Sequence, residues 1–375
     1  MVEYAKYELK NVCSRLSSGK SISSKMISEE GRYPVYGGNG LRGYTDHSNF
    51  SGDCAIIGRQ GAFCGNVRYF CGEAYMTEHA VIVCANNLNN THYLAYLLST
   101  MNLGRLSGQS AQPGLSVKTL GIQEIMLPSI EYQNKVVALL SSLDEKIAVN
   151  NNINDNLQQQ AQAIYRERFE KVSSENLPSG WHVVSLGKVA TISNKSFNPL
   201  KETERILEHY SIPAFDEARF PVFEPSTSIK SNKFVIDASC FMVSKLNPTT
   251  KRVWKPYCLT KNAVCSTEFI VYKAKNQEIT DFLYSVIDSS SFSDFMCSHV
   301  TGSTGSRQRT TPSDTLAFEL VLPAAEEIYK YQGIVSPMFE QIKCNAIEND
   351  KLKRLRDSLL PKLMSGEIDV SDIQL

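Results

Sequence analysis

Apolar positions in two separated stretches of the chain recur at alternating spacings of three and four. In the first stretch Leu140, Leu143, Ile147, Asn150, Asn154, Leu157, Ala161 and Ile164 keep this rhythm. In the second, Val335, Met338, Ile342, Asn345, Asn349, Leu352, Arg356 and Leu359 hold the same places at an offset of 195, as Val335 minus Leu140 shows. The pattern is a heptad seam and predicts two matching helices. Pro128 and Pro323 stand a few residues ahead of them, where proline is tolerated. Each helix would run about 35 residues, or ~50 Å at ~1.5 Å per residue. That is long for a globular helix and suits a spacer between two domains.

The asparagines on the seam carry information. Asn is a poor helix former, and a buried amide costs stability unless it is paired. Asn150 and Asn154 on one helix correspond to Asn345 and Asn349 on the other. If the helices pack antiparallel about a pseudo-two-fold axis, these amides meet near the middle and fix the register.

The repeat reaches beyond the helices. Leu9-Lys10-Asn11-Val12 lines up with Leu186-Gly187-Lys188-Val189 at an offset of 177. Ser110-Ala111-Gln112 matches Ser306-Arg307-Gln308, and Thr119-Leu120 matches Thr315-Leu316, at offset 196. Leu127-Pro128 matches Leu322-Pro323 at 195. Such internal repetition is the first thing to settle about a fold. It predicts domain, helix, domain, helix, with boundaries at 1–130, 131–170, 171–325 and 326–375. Between the matching edges, 13–106 and 190–300 show little mutual similarity. A repeated frame with two unlike heads suits a bipartite, asymmetric target.

Within the heads, short apolar runs of strand length alternate with turns. Cys54–Gly58, Ala80–Cys84, Phe234–Ile236, Phe241–Val243 and Phe269–Tyr272 read as strands. Residues 92–103 and about 279–287 read as helices. The fold class is α+β: two mixed α/β domains separated by two long helices packed as an antiparallel coiled coil.

Composition adds limits. The 375 residues carry 39 Lys+Arg and 39 Asp+Glu, so no excess of positive charge marks a non-specific DNA coat. The charge nevertheless alternates with the repeat. Counting Lys+Arg against Asp+Glu gives 11 and 9 over 1–130, 4 and 6 over 131–170, 17 and 15 over 171–325, and 7 and 9 over 326–375. No apolar run approaches the ~18 residues of a membrane span, and the first residues open no signal peptide, so a cytoplasmic place is expected. The ten cysteines form no C-x-x-C pair and read as small buried hydrophobes, not zinc ligands.

No catalytic constellation is found. Gly38-Asn39-Gly40-Leu41-Arg42-Gly43 matches G-x-G-x-x-G literally, but no Asp or Glu occurs from Cys54 to Gly72 to hold a ribose. A turn presenting Asn39 and Arg42 is the better reading. Ser18-Gly19-Lys20-Ser21 lacks the first glycine of a phosphate loop, Ser14 standing in its place. Asn198-Pro199-Leu200-Lys201 and Asn247-Pro248-Thr249-Thr250 lack the second proline and aromatic of an amino-methyltransferase motif. Neither a catalytic residue nor a metal ligand is expected.

Three segments have the residues to touch nucleic acid. The first joins Tyr36, Asn39 and Arg42 to Arg59 and Gln60, where Asn and Gln can pair with adenine and Arg with guanine. The second is 229–261, where Lys230, Lys233, Lys245, Lys251, Arg252, Lys255 and Lys261 face one acid, Asp237, for a net +6 suited to phosphates. The third is the polar loop ending in Arg307, Gln308 and Arg309, whose counterpart in the first half carries Gln112. Each is equally a solvated loop on composition alone. Their recurrence at matching places favours DNA over a coiled-coil interaction scaffold that binds none.

These residues resemble the specificity subunit of type I restriction-modification enzymes. Tyr33-Pro34-Val35-Tyr36-Gly37-Gly38-Asn39-Gly40, Ile57-Gly58-Arg59-Gln60-Gly61-Ala62 and Thr77-Glu78-His79-Ala80-Val81 are similar to one version of that family's target-recognition domain. Ile212-Pro213-Ala214-Phe215-Asp216-Glu217, Ile229-Lys230-Ser231-Asn232-Lys233-Phe234 and Ser244-Lys245-Leu246-Asn247-Pro248 are similar to another. Leu143-Asp144-Glu145-Lys146-Ile147 and Leu363-Met364-Ser365-Gly366-Glu367-Ile368 resemble its helical regions, with Met338-Phe339 replacing Leu143-Asp144 in the second helix. The resemblance implies that each domain reads half of a split double-stranded DNA site. It implies that the helices set the spacing and dock two modification subunits. Those subunits would bind S-adenosylmethionine, and a restriction subunit would use ATP and magnesium. This chain would hold no cofactor and carry no catalysis.

Overall fold

The computed structural model describes residues 2–107, 114–172, 176–201, 205–301 and 308–373. The chain divides into two compact units, Met1–Lys146 with Leu352–Leu375, and Ile147–Lys351. Each unit therefore takes part of each long helix along with its own sheet domain.

The first unit contains β1 (Ala5–Glu8), β2 (Cys13–Ser18), β3 (Tyr33–Gly37), β4 (Gly40–Thr45), β5 (Phe50–Gly58), β6 (Val67–Met76), β7 (Ala80–Ala85), α1 (Thr91–Thr100), α2 (Val117–Gly121) and β8 (Glu124–Leu127). The long helix α3 (Ile130–Tyr165) begins in it. Strands β2 to β7 form one six-stranded sheet in the order β2-β7-β5-β6-β3-β4. The run Cys54–Gly58 is apolar without a break because β5 is covered on both faces. Ala55 and Ile57, with Val81 and Val83 of β7, face α1, while Cys54 and Ile56, with Ala80 and Ile82, face a second cluster around Phe50 and Met76. Asn90 caps α1 by accepting from Tyr93 N at 3.0 Å. The helix stops short of the expected residue 103 because Asn102 turns left-handed, with φ 47°.

The second unit contains β9 (His182–Ser185), α4 (Leu186–Val189), β10 (Ala190–Ile192), β11 (Ser196–Phe197), β12 (Ile206–Tyr210), α5 (Ile212–Ala218), β13 (Val222–Pro225), β14 (Lys233–Val235), β15 (Cys240–Ser244), β16 (Val253–Trp254), β17 (Ala263–Ser266), β18 (Phe269–Ala274), α6 (Thr280–Ile287), α7 (Ser290–Ser298), β19 (Val300–Thr301), β20 (Arg309–Thr310) and β21 (Glu319–Leu322). The final helix α8 (Ala325–Ser365) starts here. Two larger sheets form, β10-β18-β15-β16 and β11-β14-β17-β12-β13.

The repeat runs deeper than residue identity shows. In each unit a first strand pairs antiparallel with the strand that leads into a long helix, β1 with β8 and β9 with β21. In each, the next strand pairs with a late strand that also holds a central one, giving β2-β7-β5-β6 and β10-β18-β15-β16. A helix follows the late strand both times, α1 and α6. The units diverge in what is added: β3 and β4 extend the first sheet, and a separate five-stranded sheet extends the second.

The long helices pack antiparallel within each unit. In the first, Arg356 of α8 donates Nη1 to Asp144 Oδ1 of α3 at 2.6 Å. In the second, Asn150 Nδ2 donates to Asn349 Oδ1 at 2.9 Å, and Asn345 Nδ2 donates to Asn154 Oδ1 at 2.8 Å. Partners rise along one helix as they fall along the other. Asn349 also donates to Asn151 Oδ1 at 2.9 Å, and Asn150 to Glu348 Oε2 at 2.7 Å, so the amide cluster is larger than the seam rhythm implies.

Candidate nucleic-acid interface

Three turns meet at one end of the first unit's sheet. The hairpin between β3 and β4 carries Gly37–Gly40, the end of β5 leads into Arg59 and Gln60, and Thr77–His79 joins β6 to β7. The G-x-G-x-x-G string is thus a strand-to-strand turn, with no helix behind it. Close approach explains the glycines. A Cβ at Gly38 would lie 3.1 Å from His79 O and 3.5 Å from Arg59 N. Backbone bonds hold the turns together: Arg59 N donates to His79 O at 3.0 Å and Thr77 N to Tyr36 O at 2.9 Å.

Cations gather around this junction. A Cβ on Gly37 would meet Arg42 Cδ at 2.7 Å, and one on Gly40, whose φ is 100°, would meet Arg68 Cζ at 3.2 Å. Arg42 and Arg68 are exposed and Arg59 half-buried. No carboxylate pairs with Arg42, Arg59 or Arg68 among the described residues. Asn39 and Gln60 are exposed beside them, and Tyr36 packs on Phe70 at 5.1 Å. Thr77 Oγ1 lies buried beneath the turn with no partner among the described residues. The structure thus brings Tyr36, Asn39, Arg42, Arg59 and Gln60 together and adds Arg68. Sequence reading missed Arg68 because it sits in a different strand, eight or more residues from the other candidates; its pairing partner across the sheet, Ile56, places it at the same end.

The second unit builds its counterpart at the end of β15. There Thr310 N donates to Lys245 O at 3.1 Å. In the first unit Leu115 N donates to Arg59 O at 2.9 Å. Strand β15 holds in β10-β18-β15-β16 the place that β5 holds in β2-β7-β5-β6, and Lys245 and Arg59 each follow the last residue of that strand, so the two occupy equivalent places. Lys245 also has no ion-pair partner among the described residues. Beside it Asn247 turns left-handed, with φ 48°, and leaves its buried Oδ1 without a partner among the described residues. Asn247 N takes the carbonyl of Gln308 at 2.9 Å, which brings Gln308 to this turn. Gln112 and Arg307 lie outside the described residues.

Several cations expected to face phosphates are engaged elsewhere. Lys233 is buried on β14 and donates to Ser231 Oγ at 2.6 Å; burial pulls its ammonium below the ordinary lysine range. Arg252 makes a two-pronged pair with Asp216 at 2.6 and 2.9 Å. Lys255 pairs with Asp281, and Lys251 with Asp288 at 2.8 Å. Arg309 grips Glu268 at 3.0 and 3.1 Å, and that hydrogen bond raises its pKa further. Three of the seven cations of 229–261, Lys251, Arg252 and Lys255, are therefore compensated in space, by acids outside that window. Lys230, Lys245 and Lys261 remain without ion pairs among the described residues, and Lys230 and Lys261 are exposed. Among the described residues no group of His, Cys, Asp or Glu could hold a metal ion, and no helix is long and apolar enough to cross a membrane.

Two mixed α/β domains, each joined to part of an antiparallel helix pair and each carrying a cation-bearing turn, define a duplicated two-domain protein. Residues 1–159 match the family model of the type I restriction modification DNA specificity domain. The chain is 40% identical over 134 residues to the type I restriction enzyme EcoprrI specificity subunit of Escherichia coli, covering 35% of this chain and only a third (33%) of that protein. It is 26% identical over 323 residues to the type I restriction enzyme MjaIX specificity subunit of Methanocaldococcus jannaschii, covering 76% of this chain and 70% of that one. Its fold is similar to the crystal structure of a type I restriction-modification system S subunit from M. genitalium, with a TM-score of 0.61 at 17% identity over 96% of each chain.

Proposed function

We propose that this chain is the DNA sequence-specificity subunit of a type I restriction-modification complex. Each recognition domain reads one half of a bipartite double-stranded site. The helices set the separation of the halves and dock two modification subunits, and restriction subunits complete the assembly. S-adenosylmethionine, ATP and magnesium are held by those partners, and this chain supplies recognition without chemistry, in the cytoplasm.

The observation that carries the reading is the equivalence of Arg59 and Lys245. Two unlike domains keep at the same strand end a cation with no carboxylate partner among the described residues, its carbonyl held by the backbone N–H of Leu115 in one and of Thr310 in the other. A scaffold that binds only protein gives no reason for either. Around Arg59 the exposed Asn39, Arg42, Gln60 and Arg68 combine base-edge donors and acceptors with phosphate-binding charge.

The test is fluorescence anisotropy with a duplex carrying the site mapped by sequencing methylated adenines in the source genome. Arg59→Ala should weaken binding by about 1–3 kcal/mol if the contact is to a base, and lower the salt slope by ~0.9 if it is to a phosphate. Lys245→Ala should do the same for the other half-site. Unchanged affinity and slope in both variants would remove these turns from the interface.

A further inference from the structure

Lys251 and Lys255 flank β16, the edge strand of the second unit's four-stranded sheet. Lys251 pairs with Asp288 at the end of α6, a carboxylate whose side chain is only 8% exposed. The same carboxylate takes a hydrogen bond from Gln158 of α3 at 2.6 Å. Lys255 pairs with Asp281 in the first turn of α6 and lies 5.3 Å over the ring of Phe339 of α8. Ser336 of α8 donates to the other oxygen of Asp281. Each aspartate is thus a three-way node joining the sheet, α6 and one long helix. Between the lysines, Trp254 is buried against Tyr210 at 4.7 Å and Phe215 at 5.3 Å, which ties β16 to the five-stranded sheet.

We infer that Lys251 and Lys255 are positioning residues that fix the second recognition domain on its helices through Asp288 and Asp281, and that neither contacts DNA. Such pairs contribute little net stability: desolvation offsets the attraction at the more enclosed Lys255, and solvent screens it at Lys251, whose side chain is 41% exposed. Their geometric demand is strict, however, and a planar ring beneath an ammonium adds direction. A strut made this way sets where the turn at Lys245 stands relative to the helix pair of the same unit. This inference rests on the DNA-reading proposal above.

Binding of the full chain to the mapped duplex at several salt concentrations tests it. Lys255→Gln should weaken binding about fivefold while leaving the salt slope at the parent value, and Lys255→Arg should restore affinity. The lost discrimination should fall on base changes in the half-site of the second domain alone. Asp281→Asn separates strut from contact by sign. It should weaken binding as Lys255→Gln does, whereas a freed phosphate-contacting lysine would tighten it. Tryptophan fluorescence at Trp254 checks that each variant is folded, and Asp281→Asn keeps the test open if Lys255→Gln is not. A slope reduced by ~0.9 in Lys255→Gln, or tighter binding by Asp281→Asn, overturns the inference. A parent chain whose binding ignores salt overturns the DNA reading itself.

Discussion

Asn349→Ala removes the centre of the amide cluster between α3 and α8. Asn349 is 6% exposed and its partner Asn150 only 1%, so both amides have left water. The substitution deletes two neutral hydrogen bonds, one accepted from Asn150 and one donated to Asn151. At about 0.5–1.5 kcal/mol each, the cost is about 1–3 kcal/mol. Asn151 is exposed and recovers a water, while Asn150 keeps Glu348 at 2.7 Å, so the lower half of that range is expected. Asn150→Ala should cost more, about 2–4 kcal/mol, because its bond to Glu348 is charge-assisted. The two changes share one bond, so the double variant should be about 1 kcal/mol less destabilised than the sum. The assay is urea unfolding followed by tryptophan fluorescence. The chain has two tryptophans, Trp181 and Trp254, and both lie in the second unit with the amide cluster. Single variants within about 0.5 kcal/mol of the parent, or a coupling of zero, would refute the pairing as a determinant of register.

Three further outcomes follow from local geometry. Glu208 is fully buried and accepts from Tyr210 OH at 2.6 Å, Leu259 N at 2.9 Å and Thr260 N at 2.7 Å, so Glu208→Gln should cost about 1–3 kcal/mol in the same fluorescence assay. Burial holds His92 below the ordinary 6.5, between Tyr69 at 3.7 Å and Tyr96 at 4.5 Å. The unfolded chain therefore takes up the proton first as pH falls, and stability that is whole above pH ~6.5 is lost below it. His92→Phe keeps the stack and should flatten that acid loss in thermal melts read by circular dichroism. Gly58→Ala would press a methyl on the carbonyl oxygens of Phe63 and Gly38, so it should cost about 1–3 kcal/mol in the same melts and weaken DNA binding with it.

What was legible in the sequence is what repeats locally. The 3–4 rhythm placed both helices and their asparagines, and the runs at Cys54, Ala80, Phe241 and Phe269 became strands. The shared sheet order β2-β7-β5 and β10-β18-β15 was not legible, because backbone pairing is kept without side-chain identity. Cation clusters were only half legible. Arg42 and Arg59 each stand beside a short glycine-rich turn, so turn chemistry singled them out. The acid partners of Lys251, Arg252 and Lys255 were not legible, because Asp288, Asp216 and Asp281 lie 26 to 37 residues away in the chain and close in space. Charge counted over a window measures sequence neighbours, whereas Coulomb attraction acts on distance. Arg68 and Asn247 needed the fold, since only strand register and backbone angles bring them to the turns.

Exchange of residues 1–130 for the corresponding segment of a relative with a different target, followed by mapping of methylated adenines, tests the division of labour most directly. One half of the bipartite site should change to the donor's while the other half stays. A site unchanged in both halves, or changed in both, would contradict two independent readers on one duplicated frame.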